Sequence, residues 1–190
     1  MAANAIVYKA SLQISDMDRH YYHDHPLTLA RHPSETEERM MIRLLAFAMH
    51  AHERLRFGRG LSVEDEPALW QKDLTGLIEV WIEVGLPEEK AMRQACGCAK
   101  QVYAYAYGGR GADLWWKNLS TSLGRLDNLT VFMLPLDESR ALAQLAQPSM
   151  ALHCTIQDGS VYIGDATGTV QVEPTTVKQA STKDIERVRR

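Results

Sequence analysis

Residues 77–84 read LIEVWIEV, and this segment constrains the fold more than any other. Its β-branched content predicts a strand. Alternate side chains on a strand share a face. Glu79, Trp81 and Glu83 therefore stand in one row that Gly85 continues, while Ile78, Val80, Ile82 and Val84 take the other face and supply the core. Two carboxylates and an indole on the inner side of a central strand are costly unless solvated, paired or metal-bound. Either the row faces water and keeps the strand soluble, or it marks a site. Mg²⁺ suits the second case, because it takes oxygen ligands and is held by one or two carboxylates with water and substrate phosphate.

The flanking sequence places this strand in an α+β chain. Residues 5–15 and 22–31 read as extended segments connected through Ser15-Asp16-Met17-Asp18. Ser34, with Glu37 three residues later and Pro33 just before it, forms a capping box. Met41, Ile42, Leu45, Ala48 and Met49 give the following helix one apolar face, and it ends near Glu53. Residues 55–58 are a short strand before Gly60. Residues 64–72 read two ways, as a helix opened by acids and Pro67 or as the lead into a short strand. After the central strand, Gly85-Leu86-Pro87 stops the chain and Pro87-Glu88-Glu89 opens a helix with a Met92, Ala95, Cys96, Ala99 stripe. A strand over 102–107, a helix over 112–123, a strand over 129–134 and a helix over 137–146 follow. Strands at 150–156, 161–164 and 170–172 close the chain, the first two joined by an Asp158-Gly159 hairpin turn. This order predicts a small mixed sheet with flanking helices and extra β-hairpins at both ends, in one domain over 1–190 with a loose polar tail at 179–190.

Length and charge limit the partners. A chain of 190 residues is enough for one domain with a substantial core and too short for two full domains. No apolar run approaches the ~20 residues of a membrane helix, and the N-terminus lacks the basic start and long apolar core of a signal peptide. Three cysteines, an odd count in a chain that is not cysteine-dense, point to the cytoplasm. The net charge of −3 neither requires nor excludes nucleic acid, which needs only a local basic face. Arg39/Arg43 and Arg54/Arg56/Arg59 are the local clusters.

Other residues offer chemistry with less force. His20, His23, His25 and His32 invite a zinc reading, since His23 and His25 share a strand face. No cysteine pair with finger-like spacing accompanies them. Tyr103, Tyr105 and Tyr107 form a row that stacks bases or packs a sheet face. Asp65 and Glu66 precede Pro67, and Glu38 sits early in the capped helix; each also has an ordinary surface reading.

The segments HPSETEERMMIRLLAFAMHA, EDEPALW and EVWIEVGLP, in this order and spacing, resemble the YaeQ family of small bacterial proteins. The resemblance runs over essentially the whole chain. It implies a variant of the PD-(D/E)XK restriction-endonuclease-like core, in which a helix glutamate, an acid on one strand and an acid-x-lysine on the next serve a metal-dependent site. By position Glu38 matches the helix acid, Asp65 or Glu66 the second acid, with Glu79 as an alternative, and Glu83 the acid of acid-x-lysine. Asp65, Glu66 and Glu83 would hold Mg²⁺ or Mn²⁺. The lysine position is Gly85, and Glu66-Pro67 inverts the usual proline-acid order. Lys90, about one turn inside the next helix, or Arg93, one turn further, would have to stand in. The resemblance thus implies a metal-dependent nuclease-like protein. The alternative is a non-catalytic module on the same fold that binds nucleic acid or a protein partner, with a regulatory role.

Overall fold

The computed structural model describes residues 4–59 and 66–181. Its organising element is α1 (Glu37–Met49), in which residues 40–48 are buried without a break. A helix apolar all round belongs in an interior. The sequence predicts a single apolar face, and the difference arises because two sheets, not one, enclose this helix. Arg43 lies in the buried run at 1% exposure, which is tolerable only because it has a carboxylate partner inside.

The first sheet contains β1 (Ile6–Asp16), β2 (Tyr21–Arg31), β8 (Ser149–Gln157), β9 (Ser160–Gly164) and β10 (Thr169–Val172), in the order β10-β9-β8-β1-β2. β1 runs antiparallel to β2 and parallel to β8. The two ends of the chain therefore do not add separate hairpins to one small sheet, as the sequence suggests; they pair with each other and build a second sheet. Strand alternation is legible in β1, where Tyr8, Ala10, Leu12 and Ile14 point inward. The pairing of β1 with β8, some 140 residues away, has no local signal. The Asp158-Gly159 turn is present, with both residues at positive φ as a two-residue hairpin of the primed type requires.

The second sheet has the order β11-β7-β6-β5-β4-β3, built from β3 (Leu55–Phe57), β4 (Leu69–Lys72), β5 (Ile78–Val84), β6 (Ala99–Ala106), β7 (Leu129–Met133) and β11 (Thr175–Lys178). Residues 69–72 are thus strand and not helix. β3, β4 and β5 are antiparallel neighbours, and β5, β6 and β7 are parallel. The parallel steps are made through α2 (Glu89–Cys98) and α3 (Arg110–Leu123), and α4 (Leu136–Ala143) packs on α1. Ala99 begins β6 rather than closing the stripe of α2.

Both faces of the second sheet are covered. Ile82, Val84 and Tyr105 join α1 and the inner face of the first sheet in one core. Trp81, Ala104 and Val131 join Met92 and Ala95 of α2 and Leu123 of α3 in another. The Trp81 side of the central strand is therefore interior, and the reading of this row as a water-facing, solubilising surface is overturned at Trp81, which is 8% exposed.

The ends of α1 are held by distant side chains. Its N-cap is Thr36, whose hydroxyl accepts from the Arg39 amide at 3.1 Å; Ser34 instead lies 2.6 Å from His32. The expected capping box is displaced by two residues because Thr36, itself a good cap, stands nearer the helix. At the other end the helix stops at Met49, and Arg19 from the β1–β2 turn donates to the carbonyls of Ala48 and Ala51 while paired with buried Asp16. A cation at the negative end of the dipole stabilises it. In the C-terminal stretch, β11 pairs with β7, and the amides of Ala180 and Ser181 donate to Thr130 and Asp127. The start of the supposed tail is thus attached; residues 182–190 lie outside the described part.

Candidate functional site

β5, β6 and β7 are parallel, and their carboxyl ends meet the N-terminal turn of α1. In open sheets of this kind ligands bind outside the carboxyl ends of the strands. Glu83 is the penultimate residue of β5. It is largely buried, and burial pushes its carboxyl pKa above the ordinary carboxylate value; the Trp81 indole N–H, donating to Oε1 at 2.7 Å, and the charge of Arg39 act in the opposite direction and do not offset it. No salt bridge to Glu83 is formed among the described residues. A carboxyl with one hydrogen bond and no ion-pair partner, held in a low-dielectric setting, is the type of group on which proton transfer or cation binding is built.

Gly85 continues this row beyond the strand. Its φ is +119°, and its amide donates to the Tyr105 carbonyl at 2.9 Å. A side chain at this position would be strained by the backbone alone. The glycine in the expected lysine slot therefore has a conformational cause. The space where its Cβ would stand has no atom within 4 Å, so the row past Glu83 opens into free volume.

Glu38 comes to the same end of the sheet. Its Oε1 accepts from the buried Ser139 hydroxyl of α4 at 2.7 Å. Tyr107, just past β6, feels the charges of Arg39, Glu38 and Glu35, and burial raises its pKa. The charge of Arg39 thus acts on both Glu83 and Tyr107, and its guanidinium is anchored on Glu35 at 2.7 Å. Sequence spacing flags Arg39 only as part of a basic cluster. Glu35, the acid that organises it, is missed, because its partner Arg43 is eight residues away.

The other expected residues go elsewhere. Glu66 lies before β4 and is bound to Arg59, by the backbone amide at 2.9 Å and by the guanidinium at 2.7 Å; the Arg59 hydrogen bond holds its pKa down. Asp65 lies outside the described residues. Glu79 sits at the opposite end of β5, roughly 13 Å from Glu83 at strand rise. It accepts from Gln71 and pairs with Arg54 at 3.1 Å and Lys100 at 3.8 Å. It cannot share a metal ion with Glu83. Lys90 is exposed on α2, and Arg93 pairs with Glu89 on the same helix at 2.6 Å. Neither is the cation felt by Glu83.

Among the described residues no three His, Cys, Asp or Glu side chains gather closely enough to hold a metal. His23 and His25 stack with Tyr21 instead, and the His25 Nε2 lies 2.8 Å from the Tyr21 hydroxyl. The tyrosine row packs: Tyr105 is fully buried against His50, and Tyr103 stacks with Phe132. Most of the arginine clusters face inward or are paired, through Arg43–Glu35, Arg54–Glu79 and Arg59–Glu66.

A profile of the YaeQ protein family matches residues 1–174. The chain belongs to the YaeQ family. The YaeQ protein of Salmonella typhi is 43% identical over 181 residues, which is 95% of this chain and the whole of that protein. That of Escherichia coli K12 is 41% identical over the same span. The crystal structure of YaeQ from Xanthomonas axonopodis pv. citri is 47% identical, covers 92% of this chain and 98% of its own, and superposes with a TM-score of 0.89. YaeQ from Pseudomonas syringae, at 35% identity and 92% and 97% coverage, gives 0.88. The mixed α+β architecture with two sheets is therefore a YaeQ architecture. No described helix of this YaeQ chain is long and apolar enough to cross a membrane.

Proposed function

We propose that this YaeQ chain is a metal-dependent, nuclease-like phosphodiesterase whose working acid is Glu83, on a variant of the PD-(D/E)XK core. The observation that carries the reading is the state of Glu83: largely buried, raised in pKa, without an ion-pair partner among the described residues, and next to open space past Gly85. The order of elements supports it. Glu38 lies on the helix that precedes three antiparallel strands, Glu66 lies before the middle of these, and Glu83 is the last residue but one of the third.

The described residues form no ready metal cage. Mg²⁺ does not need one, since it keeps waters and takes substrate phosphate beside one or two carboxylates. Glu83 would supply the first carboxylate and Asp65 or Glu66 the second. Bound there, Mg²⁺ or Mn²⁺ would polarise the phosphate and acidify a water. Glu38, with Oε1 held by Ser139, would orient that water through its other oxygen. Arg39, anchored by Glu35, would balance charge on the phosphate in place of the lysine that Gly85 lacks, a role open by sequence to Lys90 or Arg93.

The test is cleavage of single- and double-stranded DNA and RNA with Mg²⁺ or Mn²⁺. Glu83→Gln is expected to reduce the rate at least about a hundredfold. A second reading, a non-catalytic module that binds nucleic acid or a protein, is favoured by the pairing of Glu66 and Glu79 with their own cations. Binding without cleavage under every metal, unchanged in Glu83→Gln, would establish it instead.

A further inference from the structure

A groove of about 450 Å³ lies between the two sheets, lined by consecutive residues of β2 from His25 to Thr28 and by all three residues of β3. Consecutive residues of a strand point to opposite faces. A groove that touches them all runs along the strand's edge. β2 and β3 are the terminal strands of their sheets, and among the described residues their outer edges have no partner strand. The amide and carbonyl of Leu55 are taken up by His52 and Arg56, so the edge groups left to border the groove belong to Phe57 on one side and to the outer edge of β2 on the other.

The floor is aromatic. Phe47 of α1 makes an edge contact with His25 at 5.1 Å and stacks with Phe57 at 5.4 Å. Burial lowers the pKa of His25, which keeps its ring neutral near pH 7. The rim is polar. His52 accepts the Arg54 amide at Nδ1, which leaves its proton on Nε2 as a donor. Arg56 is fixed through one nitrogen on the Glu53 and Leu55 carbonyls and keeps its remaining donors, and the Glu53 carboxylate is exposed beside it.

The dimensions exclude an added strand. β3 is three residues long, and Pro26 in the middle of the facing segment has no N–H, so a peptide would find only a broken ladder. A compact planar ligand with donors and acceptors on its edge has what both strand edges and the rim can match, and the volume falls in the range of small-ligand sites. We propose that this groove seats one unstacked nucleobase, either of a free nucleoside or of a single strand, gripped at its edge by backbone and rim groups over an aromatic floor. The site is separate from Glu83 and does not depend on the reading of that residue.

The full chain would be titrated with adenosine, guanosine, cytidine and uridine, with short single-stranded oligonucleotides, and with an abasic oligomer, following backbone amide NMR shifts. Saturable shifts at Leu27, Thr28, Arg56 and Phe57 are expected, weakened about tenfold in Arg56→Ala or His52→Ala and abolished in Leu27→Trp, whose side chain shares the inner strand face with His25 and crowds the aromatic floor. Glu83→Gln should leave them unchanged. Response to nucleosides and oligomers alike identifies a free ligand; response to oligomers alone, absent for the abasic one, identifies a base in a strand. No shift at these amides at millimolar concentrations, equal binding by the abasic oligomer, or equal binding by N-acetylphenylalanine amide overturns the proposal.

Discussion

Glu35 and Glu83 are both acids taken out of water, and they differ in company. Glu35 is 2% exposed and accepts from Arg43 through both oxygens at 2.8 Å and from Arg39 at 2.7 Å, while its carbonyl accepts from Arg31. Among the described residues Glu83 has one indole N–H and the charge of Arg39, which forms no salt bridge with it. The first arrangement uses a carboxylate to hold arginines in an interior. The second leaves a carboxyl with unmet demand for positive charge. Burial alone therefore does not set Glu83 apart from Glu35; the missing counter-ion among the described residues does, and the proposed role of Glu83 rests on it.

The largest effect should come from breaking the satisfied acid. Glu35→Ala leaves the buried Arg43 with the Ala30 carbonyl but no carboxylate partner and should cost about 3–5 kcal/mol in denaturant unfolding. A loss below about 1 kcal/mol would mean that the cluster is not the anchor of α1. His50 gives the next test, as a partly buried base rather than an acid. Burial lowers its pKa from 6.5 to about 3. As pH falls below 6.5 the unfolded chain takes up a proton that the folded chain refuses, so this contribution to stability is present above 6.5 and is lost progressively down to about 3. Unfolding midpoints across that range should fall less steeply in His50→Phe; parallel pH profiles would contradict the assignment.

Trp81→Phe removes the one side-chain hydrogen bond that Glu83 accepts among the described residues and should cost on the order of 1–3 kcal/mol at neutral pH. It should also raise the Glu83 titration midpoint further, where a purely packing role for the indole would leave the midpoint alone. The smallest effect belongs to the Arg59–Glu66 pair, whose cation is exposed. Arg59→Ala should leave the melting temperature unchanged within error, although Glu66 would return toward the ordinary carboxylate range, as a pH titration of its side chain can check.

These contrasts also explain what could be read from the sequence. The alternation in LIEVWIEV gives β5 and the shared face of Glu79, Trp81 and Glu83, because strand periodicity is local. It does not reveal that this face is roofed by α2 and α3, or that Glu79 is neutralised by Arg54 and Lys100, since those contacts depend on strand pairing. α1 is legible as a helix, but its burial on all sides depends on β1 pairing with β8 across the chain. Gly85 reads as a lost lysine until its positive φ supplies a backbone reason. The resemblance to YaeQ proteins named Glu83 and Glu38 as candidate acids; the charge of Arg39 acts on Glu83, while Lys90 is exposed on α2 and Arg93 pairs with Glu89.

The pH dependence of Glu83 bears most directly on the central claim. Its folded pKa is raised above the ordinary value of 4.5, so the unfolded chain ionises first as pH rises, and this carboxyl lowers stability progressively between that value and its folded midpoint. The carboxyl ¹³C resonance of Glu83 can be followed from pH 3 to 9, with and without Mg²⁺, beside Glu83→Gln as the assignment control. We expect a midpoint clearly above 4.5 that falls when Mg²⁺ is added, since a bound cation favours the ionised form. A midpoint at the ordinary value, unmoved by Mg²⁺ or Mn²⁺, would contradict both the unmet charge and the metal-dependent site built on it.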